Sequence, residues 1–263
     1  MSEPRSIASE LPRDFISWER DRWMFDGGGV VVLMYHKIAP APVATNLPAL
    51  YVHPDEFDRH LSELLGAGLP AVPYGEVLTR VEAGANGFCV TFDDGFCNVF
   101  DLALPILQRH RVRAIQFIVA GLIGKEDAWD RAIGEPPQPL MDEGQIREWL
   151  AEGHEIGAHT MTHPHLPALP PEQARVEIFD SKRLLEDRFG VPVRHFCYPY
   201  GDENQRIRDL VGEAGYESAP TVAFGGNLPG VPPLALNRVM ACDAPAPLRK
   251  LKRKVARLVR FGR

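Results

Sequence analysis

Two carboxylates stand side by side, Asp93 and Asp94, after the apolar run 88–92 and before Gly95. Acids at the end of a strand-like run are costly to bury unless positive charge meets them. Such a pair can divide its work, one acid binding a metal ion while the other stays free as a base. The same residues also suit a helix N-cap and turn ahead of 96–110, which needs no chemistry. Further along, His159 and His163 are separated by four positions in His159-Thr160-Met161-Thr162-His163. That spacing places both imidazoles on one side of a helical turn, and imidazole nitrogens suit zinc and its first-row neighbours. Asp94, His159 and His163 would supply three protein ligands and leave a position for water, the composition of an open catalytic site. His165, two residues on, is an alternative ligand, with a place in the following loop the favoured reading.

A third cluster is Phe196-Cys197-Tyr198-Pro199-Tyr200-Gly201. Pro199 and Gly201 impose a turn that leaves nearby backbone N–H groups free to face a ligand, as in an oxyanion hole. Tyr198, Pro199 and Tyr200 are the candidate substrate and oxyanion contacts. A plain strand-ending turn explains the same residues.

These clusters need elements to hold them. Short β-branched runs at 30–35, 88–92, 114–119, 155–159, 195–198, 219–224 and 238–241 read as strands. Amphipathic segments at 54–67, 99–110, 143–152, 171–189 and 203–214 read as helices. The alternation predicts an α/β fold with a parallel sheet wound by helices. About seven strands favour a closed or partly closed barrel, in which chemistry sits where strands end. Residues 1–28, with Phe15, Trp18, Trp23 and Phe25 before Gly27-Gly28-Gly29, form an N-terminal extension; 29–247 form the catalytic domain.

Composition is that of an ordinary globular chain: 263 residues, 45% hydrophobic and 24% charged. A chain this long buries a core without disulfides or a structural metal, so a metal site here is expected to be catalytic. The four cysteines, Cys89, Cys97, Cys197 and Cys242, lack paired spacing and read as reduced thiols of a cytoplasmic protein. Net charge is −6, yet residues 248–263 carry eight basic side chains and no acidic one. The rest therefore holds 21 basic against 35 acidic residues, a net of −14. This basic tail has apolar residues at helical spacing. It either lies on the anionic inner face of a membrane as a peripheral contact or docks on the acidic body. The acidic body argues against nucleic acid as a partner.

The order T-F-D-D-G, H-T-x-x-H and Y-P-Y-G resembles the polysaccharide deacetylases, carbohydrate esterase family 4, over about residues 29–240. Less specific support comes from Leu33-Met34-Tyr35-His36, Ala103-Leu104-Pro105-Ile106-Leu107 and Gly153-His154-Glu155-Ile156-Gly157. The resemblance implies a distorted, partly open (β/α)7-8 barrel and metal-dependent removal of acetyl groups from sugars or polysaccharides. It implies Asp93 as general base and Asp94, His159 and His163 as ligands of a divalent metal; ligand type puts Zn2+ foremost, and the Tyr200 N–H is the candidate oxyanion donor. The chain departs from the family in two places. Many members carry arginine where this chain has Cys197. Others carry a late L-x-H motif supplying the acid, where this chain reads Leu234-Ala235-Leu236-Asn237-Arg238. His36 is the candidate replacement acid, since it ends the first predicted strand and resembles the early Y-H of the poly-N-acetylglucosamine deacetylase branch. The rival readings are an amidohydrolase or deformylase acting on a small or lipid-linked sugar amide, and an inactive carbohydrate-binding barrel. The segment 121–140, with Trp129, is expected to form a loop over the site.

Overall fold

In the computed structural model, residues 29–131 and 134–241 are described; the extension 1–28 and the tail 248–263 lie outside them. Six parallel strands form the main sheet: β1 (Val30–Tyr35), β4 (Gly87–Phe92), β5 (Ala114–Ile118), β6 (Glu155–Ala158), β7 (Pro220–Phe224) and β8 (Leu236–Met240). Their order is β6-β5-β4-β1-β8-β7. A two-stranded pair, β2 (Lys37–Ile38) and β3 (Tyr51–Val52), lies beside the site.

The outer strands β6 and β7 are joined through the extended segment 195–198. It makes single bridges, Ala158 to Phe196 and His195 to Ser218. Backbone bonds of 2.9–3.0 Å cross both seams. The ring of strands is thus stitched by isolated bridges where a regular barrel has ladders, which is the distortion expected. The run 195–198, read as a strand, is this seam. It is too short to ladder because Pro199 follows Tyr198 and has no N–H to donate.

Every residue of β1 and β4 is buried, as expected of strands covered on both faces. Their alternate side chains feed two cores. Val31, Leu33, Tyr35, Phe88, Val90 and Phe92 pack outward against the helices. Val30, Val32, Cys89, Phe117, Cys197 and Leu236 fill the interior of the ring. The helices are α1 (Pro54–Gly66), α2 (Val77–Glu82), α3 (Leu104–His110), α4 (Glu143–Ala151), α5 (Pro171–Phe189) and α6 (Gln205–Glu213). The single predicted helix 99–110 is divided: a π-helical turn, Val99–Ala103, precedes α3, which starts beside Pro105. Helix α4 opens with a reciprocal capping box between Asp142 and Gln145. Among the described residues no helix is long and apolar enough to cross a membrane.

Candidate active site

The polar clusters meet at the carboxyl ends of the strands. β4 ends at Phe92, and the next residue remains in register, the Asp93 N–H donating to the Tyr35 carbonyl at 3.0 Å. The chain then bends through the left-handed region at Asp94 (φ 77°) and Gly95 (φ 88°). That bend turns two successive carboxylates into one site, which straight extended backbone would send to opposite sides.

Asp94 is 4% exposed. Its Oδ1 lies 3.3 Å from Nε2 of His159 and 3.3 Å from Nε2 of His163. The three donor atoms fall within 4.8 Å of one another. The Nδ1 of His159 is 2.8 Å from the Cys197 carbonyl, which can only accept, so that nitrogen carries the proton. In neutral imidazole the Nε2 lone pair then faces a carboxylate oxygen. Two lone pairs in that contact call for a positive charge. A proton on His159 answers one contact, whereas a metal ion answers all three donors, so the residues present fit a divalent ion. The donor set thus meets the metal requirement that the sequence resemblance implies. Burial pushes the Asp94 carboxyl up, but His159 and His163 hold it well below the usual carboxylate range. Burial lowers the pKa of His163, with Asp94 partly offsetting it.

Asp93 belongs to a separate arrangement. Arg238, on β8, grips it with a two-pronged contact: Nη1 donates to Oδ1 and Nη2 to Oδ2, each at 2.8 Å. The guanidinium is 2% exposed, and its other donors reach the Thr221 carbonyl, Thr91 Oγ1 and Cys197 Sγ. All five N–H groups are thereby engaged, the condition under which a buried arginine is tolerated. Burial pushes Asp93 up, and Arg238 with His36 pulls it down further, leaving it below its ordinary value and ionised. Burial also raises the Cys197 thiol, so it stays protonated.

Sequence reasoning did not pick out Arg238. The last strand was expected to begin at Arg238, whereas it begins at Leu236. Leu236 faces the ring interior, and alternation carries Arg238 to the same side. A basic residue two positions beyond an interior leucine was the available signal. Arg238 also accounts for the first departure from the family pattern: the guanidinium missing at Cys197 arrives from β8, and the Cys197 thiol fills the space beside it, 3.6 Å from Asp93 Oδ2.

His36 follows β1 with Nε2 3.8 Å from Asp93 Oδ2, and its side chain is 15% exposed. Burial is the main influence on its pKa, which is lowered despite Asp93 and Asp94 nearby. Lys37 points the other way and is fully buried, 3.8 Å from Asp127 and over the rings of Phe96 and Tyr51. Asp127 accepts the Gln138 N–H at 2.6 Å. Glu135 accepts Thr45 Oγ1 and the Asn46 N–H. These contacts pin the described parts of the segment 121–140, which are 121–131 and 134–140, and the Trp129 ring lies 4.2 Å from that of His163. The expected loop over the site is therefore present.

The third cluster is only partly directed at the site. Tyr200 sits in a left-handed turn (φ 60°), its ring 4.6 Å from His163 and stacked on His165 at 3.9 Å. Tyr198 is 1% exposed and donates to the Leu234 carbonyl at 2.9 Å. Its side chain supports the turn from the core, and Pro199 is buried with it. His165 pairs with Asp202 at 2.5 Å and takes no part in the triad of donors.

A ring of parallel strands with an Asp-His-His donor set and a second, arginine-held carboxylate beside it is the arrangement of a metal-dependent hydrolase. Residues 80–219 match the polysaccharide deacetylase family model. The chain belongs to the polysaccharide deacetylase family, whose members are hydrolases acting on carbohydrate amides. YxkH of Bacillus subtilis, a protein named for this family, is 27% identical over 212 residues, which are 79% of this chain and 70% of that one. A chitooligosaccharide deacetylase of Sinorhizobium fredii is 35% identical over 146 residues, 54% of this chain and 60% of its own length. The deacetylase PplD of Streptococcus pyogenes, solved with acetate, superposes with a TM-score of 0.71 at 24% identity, over 85% of this chain and 97% of that one. That likeness establishes the shared fold.

Proposed function

We propose that this chain hydrolyses the N-acetyl group of an amino sugar within a saccharide, with Asp94, His159 and His163 holding Zn2+ and Asp93 acting as general base. One observation carries the reading. An ionised carboxylate held by Arg238 stands beside a buried carboxylate that meets two imidazole nitrogens at 3.3 Å. The two acids have different partners and hence different tasks.

A divalent ion held by those ligands supplies a Lewis acid for the acetyl carbonyl and acidifies water toward pKa ~7. Asp93 accepts the proton of the attacking water. Arg238 keeps that carboxylate charged and fixes its plane. The backbone N–H of Tyr200 faces the developing oxyanion. The C–N bond then breaks, and the departing amine takes a proton from His36 Nε2. His36 rests neutral near pH 7, so its acid form arises during turnover. Asp93 Oδ2, 3.8 Å away, is the group placed to supply that proton. Products are acetate and the free amine.

The test is acetate release from N-acetylglucosamine oligomers by Zn2+-loaded protein, with Asp93→Asn as control. Release that needs both the metal and Asp93 is expected, with loss of at least about 100-fold in the variant while Zn2+ stays bound. Undiminished release by Asp93→Asn removes it as base. A protein that holds one Zn2+ and releases nothing from these oligomers points instead to a smaller or lipid-linked sugar amide.

A further inference from the structure

The loop that carries both imidazoles is held from two sides. On one side, the Glu177 carboxylate on α5 accepts the backbone N–H of Met161 at 2.8 Å and of Thr162 at 2.9 Å, both through Oε2. Its Oε1 accepts the Thr162 hydroxyl at 2.6 Å. On the other side, the N–H groups of Ala120 and Gly121 donate to the carbonyls of Thr160 and Met161 at 2.9 and 3.0 Å. Within the loop, the His163 N–H donates to Thr160 Oγ1 at 3.0 Å.

The backbone needs such restraint. Thr160 (φ 67°) and His163 (φ 63°) both occupy the left-handed region, which non-glycine residues hold only where surroundings over-determine it. Thr162 is exposed and Met161 half-buried, so water can take over these N–H groups if Glu177 is removed. Water cannot fix their direction, and direction decides whether His163 Nε2 arrives at Asp94.

We infer that Glu177 is a positioning residue of the metal centre, clamping the 160–162 backbone so that His159 and His163 converge on Asp94. This rests on the proposed metal role of those three residues. Gly121 is the opposing jaw: a Cβ there would stand 2.5 Å from the Met161 carbonyl oxygen, so Gly121→Ala must displace the same loop.

The experiment measures Zn2+ affinity by competition with a chromophoric chelator and records the visible spectrum of the Co2+-loaded protein. Glu177→Ala is expected to weaken Zn2+ binding by about 10- to 100-fold and to alter the Co2+ bands. Glu177→Asp, which keeps the charge but withdraws the carboxylate by one methylene, should lose about tenfold and decides the matter if Glu177→Ala does not fold. Glu177→Gln is expected to stay within about threefold of wild type, because its amide oxygen accepts both N–H groups and its NH2 can donate to Thr162. Wild-type protein that binds no Zn2+ overturns the metal reading and this inference with it. Tight binding by wild type, matched by Glu177→Ala and Glu177→Asp with unchanged Co2+ spectra, overturns the inference alone.

Discussion

Arg238 and Asp93 are 145 residues apart in sequence and joined by two parallel 2.8 Å hydrogen bonds in the interior of the strand ring. This contact decides what Asp93 can do. Burial alone raises a carboxyl pKa and leaves it a neutral acid. With the guanidinium in place Asp93 is ionised with its plane fixed, as the proposed base must be, while its neighbour Asp94 faces the imidazoles.

Removing the guanidinium should therefore convert Asp93 from a base into a neutral acid. Arg238→Met is expected to lower the rate about 100-fold or more and to leave Zn2+ bound. The sign of the pH effect is fixed. Wild-type Asp93 has a lowered pKa and is ionised well into the acid range. In the variant burial loses its largest counterweight and only His36 and His159 still oppose it, so the acid limb of the pH–rate profile moves to higher pH. Breaking a buried pair from one side also costs about 3–5 kcal/mol of stability, readable in a urea titration. Adding Cys197→Arg to Arg238→Met should restore part of the rate, since Cys197 Sγ is 3.3 Å from Nη2 of the native arginine. An acid limb left in place by Arg238→Met would refute the assignment.

His36 is tested by the choice of leaving group. An amine departs poorly unless protonated, whereas an activated phenol departs without help. His36→Gln should lower deacetylation of an N-acetyl sugar by about 100-fold but leave an aryl acetate within about fivefold. Parallel losses on both substrates would show that His36 shapes the site without donating a proton.

Stability should fall in mild acid through histidines away from the chemistry. His154 and His195 are buried, and desolvation lowers each to about 4; His60 is lowered further, to about 3. His154 Nδ1 accepts the Ala114 N–H, so a proton there breaks a native bond. The folded pKa values lie below the unfolded value near 6.5, so the unfolded state binds more protons in between. Stability is therefore present above pH 6.5 and is lost as pH falls toward 4, by up to the order of 3 kcal/mol for each of His154 and His195. Thermal melts across pH 4–7 should show the decline, and His195→Gln should make it shallower. A melting temperature flat over that range would contradict the assignment.

How much of this was legible in the residues varies with the range of the interaction. The strands around Val30, Phe88 and Ala114 and the helix at 171–189 followed from patterning, because burial on both faces and helical period are local signals. Pro199 ended a strand as its missing N–H requires, although the ladder expected at 195–198 is a seam of single bridges. Asp94, His159 and His163 were identified because each lies in a short motif, and the structure brings their donor atoms together. Tyr198 shows the limit of that reasoning. It belongs to the motif, yet its ring turns into the core, since a turn's side-chain directions depend on what packs beneath it.

The sequence alone determined the parallel α/β wind, the donor types for a metal and the presence of a spare carboxylate, all set by composition, spacing and period over a few residues. Only the tertiary structure decided what partner each acid has, what replaces the guanidinium absent at Cys197, and how the imidazole loop is held. Arg238 and Glu177 act on residues 145 and 15 or 16 positions away. No local pattern encodes those contacts, because they exist only once strand order and helix packing bring the side chains within hydrogen-bonding reach.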